Sequence, residues 1–279
     1  MPLWLPPSAL GKTQSNVAVT SDATRKGTTV TASATAHTKG AWVQLLAATD
    51  EDTYGITVRA RDVHVAATVT SYLLDIGIGP AASEVVLIED LDCWGAAAGS
   101  ETAARTYFFP GVIPKGERVA ARAQSLIVSD ISVVAIWLHQ AAEGWGMEVP
   151  SKWERLGAVT NSNGVSVTPA LNAFGSWTAI LDPITKPYRW WHVGFDGLAD
   201  TTILVSTPVM IELGLGDTSA AVSTIGMWEF WKNSAEIISG PWPATPVYAP
   251  AVADTALGVY ARIAAGGVEP RGVLVYAGE

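Results

Sequence analysis

The sequence predicts an all-β protein: two tandem, duplicated antiparallel β-sandwich domains of jelly-roll-like type. Three observations carry that expectation. The chain repeats itself at a fixed offset, its apolar residues alternate with the period of strands, and Gly, Pro, Asp and Asn break it into short segments.

The repeat comes first because it sets the domain count. Gly40-Ala41-Trp42 opens one apolar run and Gly175-Ser176-Trp177 opens another. Leu74-Asp75-Ile76-Gly77 is echoed by Ile211-Glu212-Leu213-Gly214, and Val119-Ala120-Ala121-Arg122 by Val259-Tyr260-Ala261-Arg262. The offsets are 135 (40 to 175), 137 (74 to 211) and 140 (119 to 259). Each copy then ends on an apolar strand, Ile131–Leu138 and Arg271–Ala277. The spacing exceeds the roughly 20–50 residues of a solenoid unit, so each copy can enclose its own core. A length of 279 residues allows two domains, at about 100–200 residues each. The expected organisation is an N-terminal extended arm over 1–20, a first sandwich over 21–140, a connector over 141–155 and a second sandwich over 156–279.

Element by element, Thr28–Ala36 is a Thr/Val/Ala/Ser run that favours strand through its β-branched residues. Tyr72, Leu74, Ile76 and Ile78 alternate with Leu73, Asp75 and Gly77, the period-two pattern of a strand with one buried face. From Ile131 to Leu138 both faces are apolar, as in a covered strand. Gly95–Arg105 is Ala-rich but cut by Gly99 and Ser100, and reads as a loop. Seven or eight such segments per copy, separated by turn residues, fit a sandwich. The connector contains Gly and Pro, yet Trp145 and Trp153 mark it for packing across a domain–domain contact.

Composition narrows the function. Charged residues make up 15% of the chain and hydrophobic ones 49%, where about a quarter charged is usual. No run approaches the roughly 18 apolar residues of a membrane span, so no membrane insertion is expected. Burial between subunits takes up the apolar surplus. Twelve tryptophans sharpen this, since Trp is enriched at interfaces; half are expected in the cores and half on partner or ligand surfaces. A net charge of −9 with scattered Lys and Arg argues against a nucleic-acid groove. Cys93, the one cysteine, excludes an internal disulfide framework and reads as a small buried hydrophobe. The N-terminus carries three prolines among its first eight residues and no basic start, unlike a secretory signal. It reads as an arm whose Trp4 and Leu5 either dock on a neighbouring subunit or belong to a disordered tail.

Chemistry is sparse. His37, His64, His139 and His192 have no metal-ligand spacing. There is no nucleophile elbow or phosphate loop, and Gly77-Ile78-Gly79 and Gly214-Leu215-Gly216 read as bulges or turns. Asp52, Asp90 and Asp92 are candidate Ca²⁺ ligands from acidic loops, with hydrolysis by Asp90 and Asp92 a more distant reading. The second copy has no counterpart of Glu89-Asp90-Leu91-Asp92. It carries instead Tyr188-Arg189-Trp190-Trp191-His192, Met227-Trp228-Glu229-Phe230-Trp231 and Pro241-Trp242-Pro243. That cluster is either a subunit interface or a sugar-stacking face, unless alternate residues simply point into a core.

Two strings resemble a known group. Leu73–Glu89 (LLDIGIGPAASEVVLIE) and Tyr107–Ser125 (YFFPGVIPKGERVAARAQS) are similar to segments of structural proteins of tailed-bacteriophage particles. The resemblance implies a non-enzymatic virion component without cofactor or metal, assembled in the host cytoplasm. The expected role is capsid decoration or head fibre, as a homotrimer binding major capsid or tail proteins. The alternative is a tail-associated receptor- or glycan-binding protein. Expected partner-binding residues are Trp4 and Leu5 in the arm, Trp145 and Trp153 at the connector, and Trp190, Trp191, Trp228, Trp231 and Trp242 in the second copy.

Overall fold

A computed structural model of the chain describes residues 13–16, 27–62, 72–93, 104–140, 148–159, 161–196, 207–232, 237–239, 245–251, 253–254, 256–266 and 270–279. In the first half the strands are β1 (Thr13–Ser15), β2 (Thr28–Thr31), β3 (Val43–Leu46), β4 (Thr53–Asp62), β5 (Tyr72–Ile78), β6 (Val85–Asp92), β7 (Ala104–Ile113), β8 (Val119–Ser125) and β9 (Ile131–His139). One sheet runs β2-β9-β4-β7 and the facing one runs β3-β8-β5-β6. This is the jelly-roll order, eight antiparallel strands wound as two Greek keys. β1 shares the outer edge of β9 with β2, pairing Thr13–Ser15 with Trp137–His139.

The second half repeats this order and adds two short strands. Its strands are β10 (Trp153–Leu156), β11 (Val165–Val167), β12 (Ala170–Leu171), β13 (Thr178–Leu181), β14 (Tyr188–Asp196), β15 (Thr207–Gly216), β16 (Val222–Lys232), β17 (Ile237–Ser239), β18 (Val247–Ala251), β19 (Gly258–Ala265) and β20 (Arg271–Gly278). One sheet runs β11-β20-β14-β18 and the other β13-β19-β15-β16. Registers match as well. Leu46 pairs with Val119 across a bulge, and Leu181 with Val259 across the same bulge. Ile56 opposes Leu138 as Trp191 opposes Ala277. β10 stands to β20 as β1 stands to β9. The duplication read in the sequence is therefore a duplication of topology.

Alternation sends Ile56, Val58 and Ala60 of β4 into the first core while Arg59 faces water. In the second core β14 contributes Trp191, Val193 and Phe195. Its other face does not meet solvent. Trp190, Leu274 and Tyr276, all from the second half, belong to the first core together with Trp153. β14 and β20 are thus covered on both sides, one face by each core, which is why β20 is buried along its whole length. The adjacent pair Trp190-Trp191 follows from this: successive strand residues point to opposite faces, and each face has a core to fill.

The halves share a sheet. β10 pairs antiparallel with β20 and, at Trp153 opposite Ile88, parallel with β6. That link joins β18-β14-β20-β10 to β6-β5-β8-β3 as one nine-stranded sheet.

Candidate functional site

The three repeated motifs converge on one spot in each jelly roll. Asp75 and Arg122 are register partners on β5 and β8, and the Arg122 Nε donates to Asp75 Oδ2 at 2.8 Å. Glu212 and Arg262 are partners on β15 and β19, with Nε to Oε2 at 2.5 Å. Trp42 lies over the Arg122 guanidinium at 4.6 Å from the ring centroid and Trp177 over Arg262 at 4.4 Å. A cation on an aromatic face and beside a carboxylate is held from two directions.

The loop entering β3 or β13 delivers each tryptophan. Gly40 N–H donates to Ala123 C=O at 2.7 Å, and Gly175 N–H to Ile263 C=O at 2.9 Å. Three residues earlier His37 (φ 57°) and Asn172 (φ 55°) take the same left-handed turn. The glycine of the second motif makes room for the indole: a Cβ on Gly77 would lie 2.6 Å from Trp42 Cη2, and one on Gly214 3.1 Å from Trp177 Cη2. The repeated residues are the parts of one tryptophan–arginine–carboxylate clasp.

The copies differ beside the clasp. Position 39 is Lys, whose Nζ donates to Asp75 Oδ1 at 2.6 Å and also to Asp90. Its counterpart Phe174 instead lies 4.9 Å from the Arg262 guanidinium. Between Leu74↔Leu91 and Ile76↔Ile88 the first copy has one residue more than the second has between Ile211↔Trp228 and Leu213↔Gly226. The extra residue forms a bulge that holds Asp90 in a left-handed conformation (φ 50°) with its N–H on Asp75 Oδ1 at 2.9 Å.

That bulge faces the joint between the jelly rolls. Arg155 of β10 donates from Nε to Asp90 Oδ2 at 2.8 Å. The buried Tyr276 hydroxyl donates to Asp90 C=O at 3.1 Å and accepts from Asp92 N–H at 2.8 Å. Burial pushes the Tyr276 pKa well up, so it stays a neutral donor. Asp92 is ion-paired with Arg105, both almost wholly inaccessible. Further along the joint, Ser162 Oγ meets His37 Nδ1 at 2.9 Å and accepts from Gln124 Nε2 at 3.2 Å. Phe109 packs against Trp153, His192 and Tyr276, with ring centroids at 5.0, 4.9 and 5.9 Å. Burial alone would raise the Asp75 carboxyl; the Lys39 charge and the bonds from Asp90, Lys39 and Arg122 outweigh it and hold Asp75 below the usual value.

The residues singled out from sequence fall as follows. Trp153, Trp190, Trp191 and Trp228 are buried, and their indole N–H groups donate to the carbonyls of Pro110, Glu148, Ala249 and Thr245. A sugar-stacking face needs exposed rings, so none forms at Trp190, Trp191 or Trp228; the rings fill the two cores instead. Trp231 lies on β16 opposite Pro208, and its side chain is outside what is described. Trp4, Leu5, Trp145, Trp242 and His64 lie outside the described residues. Asp52 caps the turn before β8 by accepting from Lys115 N–H at 2.7 Å, and Asp90 and Asp92 face cationic side chains of the protein. Among the described residues no group of three His, Cys, Asp or Glu side chains could hold a metal ion, and no helix is long and apolar enough to cross a membrane. Cys93 is buried as expected. Sequence reasoning missed Lys39, Arg155, Ser162 and Tyr276. The signal available was the one-residue excess at Asp90 when the two copies are aligned.

The strand order defines the chain as a tandem double jelly roll. No protein-family model matches it, and no curated protein sequence does. Solved structures it is similar to include the STIV MCP crystal structure, at 8% identity over 96% of each chain and a TM-score of 0.30. Another is the cryo-EM structure of Broad Bean Stain Virus, at 11% over 90% of this chain and 87% of that one (TM-score 0.33). A third is the CBM22-1-CBM22-2 tandem domain of Paenibacillus barcinonensis Xyn10C, at 8% over 97% and 98% (TM-score 0.23). At such TM-scores they carry no weight in the assignment, which rests on strand order and register.

Proposed function

We propose that this chain is a non-enzymatic structural subunit of a virus particle. The proposed setting is a tailed bacteriophage, as a capsid decoration or head-fibre protein assembled into oligomers with neighbouring virion subunits. The observation that carries the reading is the pairing of two jelly rolls into a single locked body. A polar network stands at the joint: Lys39, Arg105 and Arg122 hold Asp75, Asp90 and Asp92 within the first jelly roll, and Arg155 of the second reaches Asp90. Jelly rolls recur in viral capsids, and this step is one of fold-level analogy. The two phage-like strings support it, because they supply β5–β6 and most of β7–β8, the strands that carry Asp75, Arg122 and Phe109. The test is cryo-EM of the particle that contains the chain. Two jelly rolls per subunit in regular contact with virion proteins support the reading. A chain absent from purified particles overturns it.

A further inference from the structure

The internal joint brings a strand to a sheet edge, and the repeat supplies a second copy of each. In the first jelly roll, the edge of β6 at Ile88 receives β10, the strand that precedes the second jelly roll. Around it, His37 and Gln124 meet Ser162 and Asp90 accepts from Arg155, while Lys39 holds Asp90 from within the first jelly roll. The equivalent edge in the second jelly roll is β16 at Gly226. Among the described strands β17 covers only Phe230–Lys232 of that edge, which leaves Val222–Glu229 at the border of its sheet.

The residues around this second edge have changed in one direction. Lys39 is replaced by Phe174 and Gln124 by Ala264, while Met227 stands where the Asp90 bulge is missing. Met227 is 55% exposed, one of the most exposed large apolar side chains described. The counterparts of residues that are polar at the covered edge are apolar here, where no described strand covers Val222–Glu229. An open, partly apolar strand edge invites a partner strand.

The partner is specified by the same repeat. The counterpart of β10 is β1, and β1 is the terminal strand of its sheet, paired to β9 alone among the described strands. Each chain therefore holds one receiving edge and one terminal strand of a joint that it already makes once internally. We propose that a second copy of the chain docks its β1 beside β16 near Gly226, parallel as β10 lies beside β6, so that copies associate head to tail. Such a contact is heterologous: it closes into a ring or extends as a filament according to the rotation per step. The inference rests on the structural-subunit reading for its biological setting and names the contact by which that assembly grows.

The test is sedimentation velocity of the full chain over a micromolar concentration series, beside two variants. Met227→Lys places a charge on the receiving edge, and deletion of residues 1–15 removes the docking strand. Each is expected to weaken association by about tenfold or more. Mixed, the two are expected to form a one-to-one pair that grows no further, because each keeps the half the other lacks. If the deletion does not fold by circular dichroism, Met227→Lys added to the unaltered chain decides, since it caps ends and shortens the assemblies. A chain that stays monomeric throughout, variants that associate as the parent does, or a mixture that forms no pair would each overturn the proposal. A monomer in solution that is nonetheless present on particles removes the head-to-tail contact and leaves the structural-subunit reading standing.

Discussion

The Arg155 Nε donates to Asp90 Oδ2 at 2.8 Å, and that bond runs from the second jelly roll to the first. Its acceptor is on the one residue that the first copy has in excess of the second at this point of the fold. A single inserted residue turned a strand into a bulge and its carboxylate toward the joint.

Asp90→Asn is expected to cost about 2 kcal/mol, between the values for exposed and fully buried ion pairs, since it leaves Lys39 and Arg155 facing a neutral group. Urea unfolding measures it. An unchanged midpoint would show that the bulge carbonyl and N–H, not the charge, hold the joint.

Gly77→Ala forces a methyl group against Trp42, whose Cη2 would lie 2.6 Å away. Overpacking of this kind costs about 1–3 kcal/mol. The indole should also leave Arg122, and a shift in tryptophan fluorescence relative to the parent reports that directly. Retention of both stability and emission would mean that the clasp has slack.

Trp153→Ala removes a fully buried indole, together with its bond to Pro110 C=O and its contact with Phe109. A loss of about 3–5 kcal/mol is expected. Because Trp153 joins the halves, calorimetry of the variant should resolve two transitions where the parent shows one. A single, merely lower transition would place the coupling elsewhere, in the Asp90–Arg155 and Tyr276 contacts.

His139 sits beside Phe108 with Nε2 2.7 Å from Thr57 Oγ1, and burial lowers its pKa to about 4. An unfolded histidine takes its proton near 6.5. Between those values the unfolded chain binds the extra proton, so stability falls as pH drops from about 6.5 toward 4. Below that window both states are protonated and this contribution stays lost. His139→Gln is expected to flatten the stability profile between pH 4 and 6.5 alone; a slope identical to the parent's would assign the acid sensitivity to the carboxylates.

The strand character of the chain and the duplication were legible because each rests on local pattern; the count of seven or eight strands per copy fell short of the nine and eleven observed, because it missed short pairings such as β1, β12 and β17. Period-two alternation marks β5 as a strand, although the structure buries both of its faces rather than the expected one, and Gly-x-Trp, Asp/Glu-x-Gly and Ala-Arg mark the clasp in both copies. The clasp could not be recognised as one site from the chain alone. Its members lie on β5, β8 and the loop before β3, and only antiparallel register brings Asp75 opposite Arg122. The tryptophans were misleading for a related reason. A dense run such as Trp190-Trp191 signals exposure when a strand has one dry face, and signals nothing of the kind when both faces are dry.

What the sequence determined by itself is the unit: an antiparallel jelly roll, made twice, because alternation and turn chemistry are properties of neighbouring residues. What only the tertiary structure decided is how the two units meet. Trp153 alongside Ile88, Arg155 on Asp90 and Tyr276 between the carbonyl of Asp90 and the N–H of Asp92 are contacts across 65 to 186 residues of chain. Their energies depend on burial and geometry that no local pattern encodes, since the same Asp is a solvated loop residue in one fold and the anchor of a joint in another.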